Sequence, residues 1–239
     1  MQTRKGYTMS KRVICIFIIL CGLAVIYAQD KPVNKTVNPW EETIRTFEDW
    51  DRKNSFPSDA VLFVGSSSIR LWPTRECFAG LEVINRGFGG SKIYEVNYFA
   101  NRIVLPYKPK LIVFYAGDND IAGGMSAQQV FEDYQKFVKI VHNELPDTRI
   151  IFISIKPCRS RWSFWPAMDE ANNMIRKFSD KNLRLFYFDG AAPLLDNNGE
   201  PKDELFLEDK LHLNSKGYDI WTKLLCPTIE TALKSDISR

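Results

Sequence analysis

Histidine is scarce in this chain: 239 residues hold only two, His142 and His212. Any chemistry that needs an imidazole base must draw on one of them, and a metal centre built from clustered histidines is excluded. Cysteine is little better represented. Of five, Cys15 and Cys21 fall within the first 28 residues, and Cys77, Cys158 and Cys226 are widely spaced with no C-x-x-C pair. No structural metal site is therefore expected, and an odd number of remaining thiols leaves at least one without an intramolecular partner. Acidic residues are absent before Asp30, whereas Arg4, Lys5, Lys11 and Arg12 all precede it. The formal charge of +3 rests on those four. Without them the chain is close to neutral and offers no basic footprint for a nucleic acid. There is also no internal repeat and no low-complexity tract.

The charge asymmetry has a second meaning. Lys11 and Arg12 precede an apolar run from Val13 to Ile26, and Ala28 then meets Gln29-Asp30-Lys31. That order of basic, apolar and small residues is that of a secretory signal, with cleavage expected after Ala28. The run is short of the ~20 apolar residues a bilayer span needs, so export is favoured over a membrane anchor. A lipoprotein reading of Cys21 is disfavoured by bulky Ile19-Leu20 before it and by apolar Leu23 to Ile26 after it. The chain thus divides into a signal over 1–28, a polar linker over 29–38 and one globular domain over 39–239. No membrane span is expected once the signal is removed.

Beyond residue 39, short apolar runs alternate with amphipathic stretches. Ala60 to Val64, Leu81 to Ile84, Leu111 to Tyr115, Ile150 to Ile153 and Leu183 to Tyr187 read as strands. They are rich in β-branched and aromatic residues, as strands covered on both faces are. Ala127 to Asn143 repeats Val130, Tyr134, Phe137, Val138 and Val141 at helical spacing, with Pro146 beyond its end. Ala167 to Lys181 and Ser215 to Leu233 behave similarly. Strands alternating with helices argue an α/β fold with a parallel sheet and helices on both faces. In such sheets the ligand crevice lies beyond the carboxyl ends of the strands.

The residues that follow the strands are polar and glycine-rich. After the first come Gly65-Ser66-Ser67-Ser68, where a glycine lets the chain turn and a serine hydroxyl is presented. The same serines would also serve to cap the next helix, and Ile69 breaks the G-x-S-x-G elbow. After the second come Asn85-Arg86-Gly87-Phe88-Gly89-Gly90-Ser91, which fit neither the dinucleotide spacing nor a P-loop. Glycines there allow a ligand close to backbone N–H groups, or simply make a turn. After the third come Gly117-Asp118-Asn119-Asp120, in which Asn119 can donate to an oxyanion or close an Asx turn. Near the C-terminus, Asp209-Lys210-Leu211-His212 places a carboxylate three residues before an imidazole. Such a carboxylate can fix the ring's tautomer and leave Nε2 as a base. His142 lies late in a helix, where favouring the negative end of the dipole suffices, so His212 is the candidate base.

In this order these segments resemble the SGNH (GDSL-like) hydrolase family, near its bacterial and platelet-activating-factor acetylhydrolase-like branches. Gly65-Ser66-Ser67 with Trp72, Asn85 to Gly90, Gly117 to Asp120 and Asp209 to His212 match its four blocks, from about Asp59 to the final helix. Ser66 departs from the family's usual Asp. The resemblance implies a flavodoxin-like three-layer α/β/α fold with about five strands in the order 2-1-3-4-5, and no cofactor. It also implies a Ser67–His212–Asp209 triad, with an oxyanion hole made by the N–H groups of Ser67 and Gly90 and the Asn119 amide. The segment from Lys156 to Asp169 should overhang this edge, making Arg161, Trp162 and Trp165 candidates for substrate contact or for packing the next helix. The expected function is an exported esterase acting on a small-molecule or glycan ester, an acetylated carbohydrate first. A lysophospholipid or other short-chain ester is the alternative, and a carbohydrate-binding protein without turnover is the alternative of a different class.

Overall fold

The computed structural model describes residues 38–234 together with Gln2. The chain divides into two units after Asn38. Apart from Gln2, the expected signal lies outside the described residues, as does the expected linker apart from Asn38. From Pro39 onward, five strands form one parallel sheet: β1 (Val61–Gly65), β2 (Val83–Gly87), β3 (Leu111–Tyr115), β4 (Arg149–Ile153) and β5 (Leu185–Phe188). Their order is β2-β1-β3-β4-β5, with Phe63 of β1 in register with Asn85 on one side and Val113 on the other. The order reverses between β1 and β3, so the switch point lies where β1 ends.

Alternation along the strands creates two cores. Leu62, Val64, Ile112 and Phe114 face one side, where they meet α1 (Glu41–Lys53), α4 (Ile93–Ile103), α6 (Ala127–Glu144) and α7 (Trp165–Ser179). Val61, Phe63, Val113 and Tyr115 face the other, against α2 (Ser67–Arg70), the segment from Trp72 to Phe78 around α3 (Thr74–Cys77), and α8 (Ser215–Lys234). The remaining helix, α5 (Asp118–Ala122), follows β3. This is the three-layer α/β/α arrangement. Helix α8 forms despite Pro227 in its interior, which costs roughly 3 kcal/mol. Its buried stripe of Tyr218, Trp221, Leu225, Ile229 and Ala232 outweighs that, since one buried large apolar side chain contributes roughly 1.5–3 kcal/mol. Pro227 also faces solvent, so the carbonyl it leaves unpaired can bond water.

Two strands differ from the apolar runs that announced them. β2 is an edge strand and starts at Val83 rather than Leu81, running through the partly exposed Asn85 and Arg86. β5 starts at Leu185, because Leu183 is 71% exposed and belongs to the preceding turn. Among the described residues no helix is long and apolar enough to cross a membrane.

Candidate functional site

The carboxyl ends of β1, β2 and β3 converge with the loop before α8 around one cleft of about 490 Å³. Its floor begins at Gly65. The backbone there has φ +140°, and a Cβ would lie 1.8 Å from the Tyr115 carbonyl oxygen, so only glycine fits against β3. Ser66 N–H then donates to that same carbonyl at 2.9 Å, and Ser67 opens α2. Of the three adjacent serines, Ser66 and Ser68 are buried at 0% and 1% exposure, while Ser67 lines the cleft. As the first residue of its helix, Ser67 has no intrahelical acceptor for its own N–H. Asn85 braces this turn from β2: its side-chain amide donates to Ile69 O at 2.8 Å and its oxygen accepts from Gly87 N–H at 2.9 Å.

The loop before α8 brings the imidazole to the serine. His212 Nε2 lies 3.0 Å from Ser67 Oγ, and Nδ1 lies 2.6 Å from Asp209 Oδ2. Asp209 Oδ1 accepts the N–H groups of Leu211 and His212, both at 2.9 Å. Partial burial works to raise the Asp209 carboxyl, but these bonds and the imidazole outweigh it and hold its pKa at about 2. An ionised carboxylate on Nδ1 leaves Nε2 as the acceptor facing the serine hydroxyl. The arrangement can therefore move a proton from Ser67 Oγ to His212 with its charge compensated behind the ring.

The other wall carries Gly90 and Asn119. Gly90 has φ +81°, and a Cβ there would approach the Trp40 ring at 3.2 Å. Asn119 Nδ2 donates to Ser91 O at 3.0 Å, and its Oδ1 accepts from Arg161 Nη2 at 2.9 Å. Arg161 is itself anchored to Asp118 Oδ2 at 3.3 Å, as is the fully buried Lys156. Burial opposes both charges of that inner pair, but Lys156 and Arg161 hold Asp118 below the ordinary carboxylate range. Tyr115 and Asp118 likewise hold Lys156 above the ordinary amine range. The chain Lys156–Asp118–Arg161–Asn119 thus fixes which end of the Asn119 amide is which.

The structure brings Ser67, His212, Asp209, Gly90, Asn119 and Arg161 together. Trp162 and Trp165 stack on each other, with centroids 6.1 Å apart, and neither lines the cleft. Trp165 packs on the core beneath α7. His142, near the end of α6, meets a backbone carbonyl. Its Nε2 is 2.9 Å from Thr148 O, and burial, with Arg184 nearby, lowers its pKa and favours the neutral ring. Sequence reasoning passed over Trp40, Thr43, Arg70 and Leu211, which complete the cleft. Trp40 carried a signal, since Trp40, Ile44 and Phe47 fall at helical spacing. Among the described residues no group of three His, Cys, Asp or Glu is placed to hold a metal ion, and Cys77, Cys158 and Cys226 are free thiols.

Comparison with known proteins agrees on the fold. The model of the GDSL-like lipase/acylhydrolase family matches residues 68–220. A candidate platelet activating factor from Streptococcus pneumonia is 18% identical, with a TM-score of 0.71, covering 91% of this chain and 99% of that one. A GDSL-like lipase from Bacteroides thetaiotaomicron is 20% identical, with a TM-score of 0.67, covering 79% and 98%. A carbohydrate esterase of family 3 from Talaromyces cellulolyticus is 18% identical, with a TM-score of 0.59, covering 73% and 98%. At these identities the likeness is one of fold. No curated protein matches the chain.

Proposed function

This chain belongs to the GDSL-like lipase/acylhydrolase family, and on that premise we propose that it is an exported serine esterase releasing a short acyl group, acetyl first, from a carbohydrate. That it is a carboxylic ester hydrolase follows from the family; the substrate, the route and the residue roles are the proposal. The observation that carries it is the relay of 3.0 Å and 2.6 Å from Ser67 through His212 to Asp209. Ser67 Oγ attacks the ester carbonyl as His212 Nε2 takes its proton, and Asp209 stabilises the imidazolium. The oxyanion is received by the N–H groups of Ser67 and Gly90 and by the second Nδ2 hydrogen of Asn119, whose first is on Ser91. His212 then gives the proton to the leaving alcohol, and water activated by the same ring releases the acid.

The cleft supports a short acyl group. Among the described residues, Trp40 and Leu211 are the large apolar side chains that line it, beside Thr43, Arg70, Arg161 and the reacting residues, a mostly polar lining that suits a short acyl group better than a long one. Trp40 supplies an aromatic ring beside the reacting residues, of the kind that sugars pack on, and a carbohydrate esterase shares the fold. The basic, apolar and small-residue order of 1–28 supports export, with 29–38 as linker and 39–239 as catalytic domain. A fluorophosphonate tests the assignment: the adduct should map to Ser67 by peptide mass spectrometry. An adduct on Ser66 or Ser68, or none, defeats it.

A further inference from the structure

We propose that Arg70 reads a negative charge on the substrate, a carboxylate or phosphate close to the scissile ester. The inference rests on the esterase reading above and deepens it by naming the substrate's charge. Arg70 is the last residue of α2, three positions after Ser67 and therefore on the neighbouring helical face. It lines the same cleft as Ser67, Asn119 and His212. Its side chain is exposed and, among the described residues, makes no ion pair and no side-chain hydrogen bond. Other arginines of this protein do find carboxylates: Arg86 pairs with Asp51, Arg102 with Glu41 and Glu48, and Arg159 with Glu200 and Asp203.

Arg70 lies alongside the glycine segment that follows β2. A Cβ on Gly89 would lie 2.7 Å from Arg70 Nε and 3.3 Å from Cζ and Nη2, so the guanidinium rests against bare backbone of the glycine segment. A side chain at residue 89 would displace Arg70 from this position. The cleft's second guanidinium is not available in the same way, since Arg161 is committed to Asp118 and Asn119. Of the carboxylates that hold the site together, Asp118 is 2% exposed and sits between two cations, and Asp209 lies behind the imidazole. What remains open to an arriving ligand is the positive charge of Arg70. A guanidinium fork suits planar carboxylate or tetrahedral phosphate oxygens.

The experiment compares matched pairs by acetate release. Acetylated methyl glucuronide is set against acetylated methyl glucoside, and acetyl glycerol phosphate against acetyl glycerol, for the wild type, Arg70→Gln and Arg70→Lys. The wild type should favour at least one anionic member by about tenfold to a hundredfold in kcat/KM, the size of a charge-assisted contact. Which pair shows the preference identifies carboxylate or phosphate as the source. Arg70→Gln should bring the ratio close to one, Arg70→Lys should keep part of it, and salt near 0.5 M should shrink it. Equal rates on both members of both pairs in the wild type, or an unchanged ratio in Arg70→Gln, would overturn the inference while leaving the esterase reading intact. No turnover of any ester, or turnover undiminished in Ser67→Ala, would overturn the esterase reading itself.

Discussion

The two sides of the cleft are held by different means. The side of the proposed nucleophile is part of the sheet: Ser67 follows β1 by one residue, is 8% exposed, and sits beyond a glycine pressed against β3. The base side is a loop. Asp209 and His212 have side chains 46% and 23% exposed, and the loop is closed by the Phe206–Leu213 bridge and the bond from Leu207 N–H to His212 O at 2.8 Å. Core packing therefore positions the proposed nucleophile, Ser67, whereas a few local hydrogen bonds position the proposed base, His212. Damage to the first should be read out mainly in folding, and damage to the second mainly in turnover.

The largest expected effect lies on the base side. His212→Ala should lower kcat/KM on an acetyl ester by a factor on the order of 10⁴ or more, because no other imidazole reaches Ser67. Its urea midpoint should stay close to that of the wild type, since the ring packs into no core. A large loss of stability alongside the lost rate would erase the proposed difference between the two sides. On the nucleophile side Gly65→Ala should do the reverse. The added methyl meets a backbone oxygen that cannot move without breaking β3, so a loss of about 4 kcal/mol or more is expected. Expression, far-UV dichroism and the urea midpoint should all report it.

The same division explains what the sequence could disclose. The strands next to the nucleophile are fully buried, so β1 and β3 appear as unbroken apolar runs. The serine and glycine turns after them follow from where those runs stop. β2 blurs because an edge strand tolerates Asn85 and Arg86. The Asp209–His212 pair was legible because both members lie in one short segment and only two histidines compete. Helix α4 could have been found from Ile93, Val96, Phe99, Ala100 and Ile103. The roles of Arg70 and Arg161 could not, since an arginine's meaning depends on which carboxylates reach it. Asp118 and Asn119 are some forty residues away from Arg161, and nothing local marks that pairing.

The wall that carries Asn119 also holds a pH-sensitive element. Asp120 on α5 accepts the N–H of Ile93 at 2.9 Å, tying α5 to the start of α4. Burial, with the Asp118 charge nearby, raises its pKa to about 7, against the pull of that N–H bond. The folded state therefore holds the Asp120 proton more firmly than the unfolded chain, whose carboxyl releases it near 4. Between about pH 4 and 7 the unfolded state binds fewer protons, so this group makes stability fall as pH rises. Asp120→Asn stays neutral and keeps an oxygen for Ile93. Its gain over the wild type should grow from pH 5 to pH 8 and reach a few kcal/mol at most, read from urea midpoints. A gain independent of pH would show that the buried charge is not its source.

The smallest effect compares the same residue pair, glycine and alanine, on the opposite side of the cleft. Lys210, between Asp209 and His212, has φ +53°, a left-handed conformation that an ordinary side chain adopts at a cost of roughly 1–2 kcal/mol. Its ammonium reaches Asp203 at 3.4 Å, but both side chains are more than 40% exposed, so that pair contributes little. Lys210→Gly and Lys210→Ala both remove the pair, and they differ in the backbone cost. The glycine variant should be the more stable by about 1 kcal/mol, reduced by the greater freedom glycine has in the unfolded chain. The sign is thus the same as at residue 65, but the size is far smaller, because at residue 65 the added methyl also meets the Tyr115 carbonyl oxygen of the sheet. Both Lys210 variants should retain turnover, because the N–H groups that hold Asp209 belong to Leu211 and His212 rather than to residue 210. If Lys210→Ala lost stability on the scale of Gly65→Ala, the loop would be as firmly built as the strand side, and the contrast between core-held nucleophile and locally held base would fail.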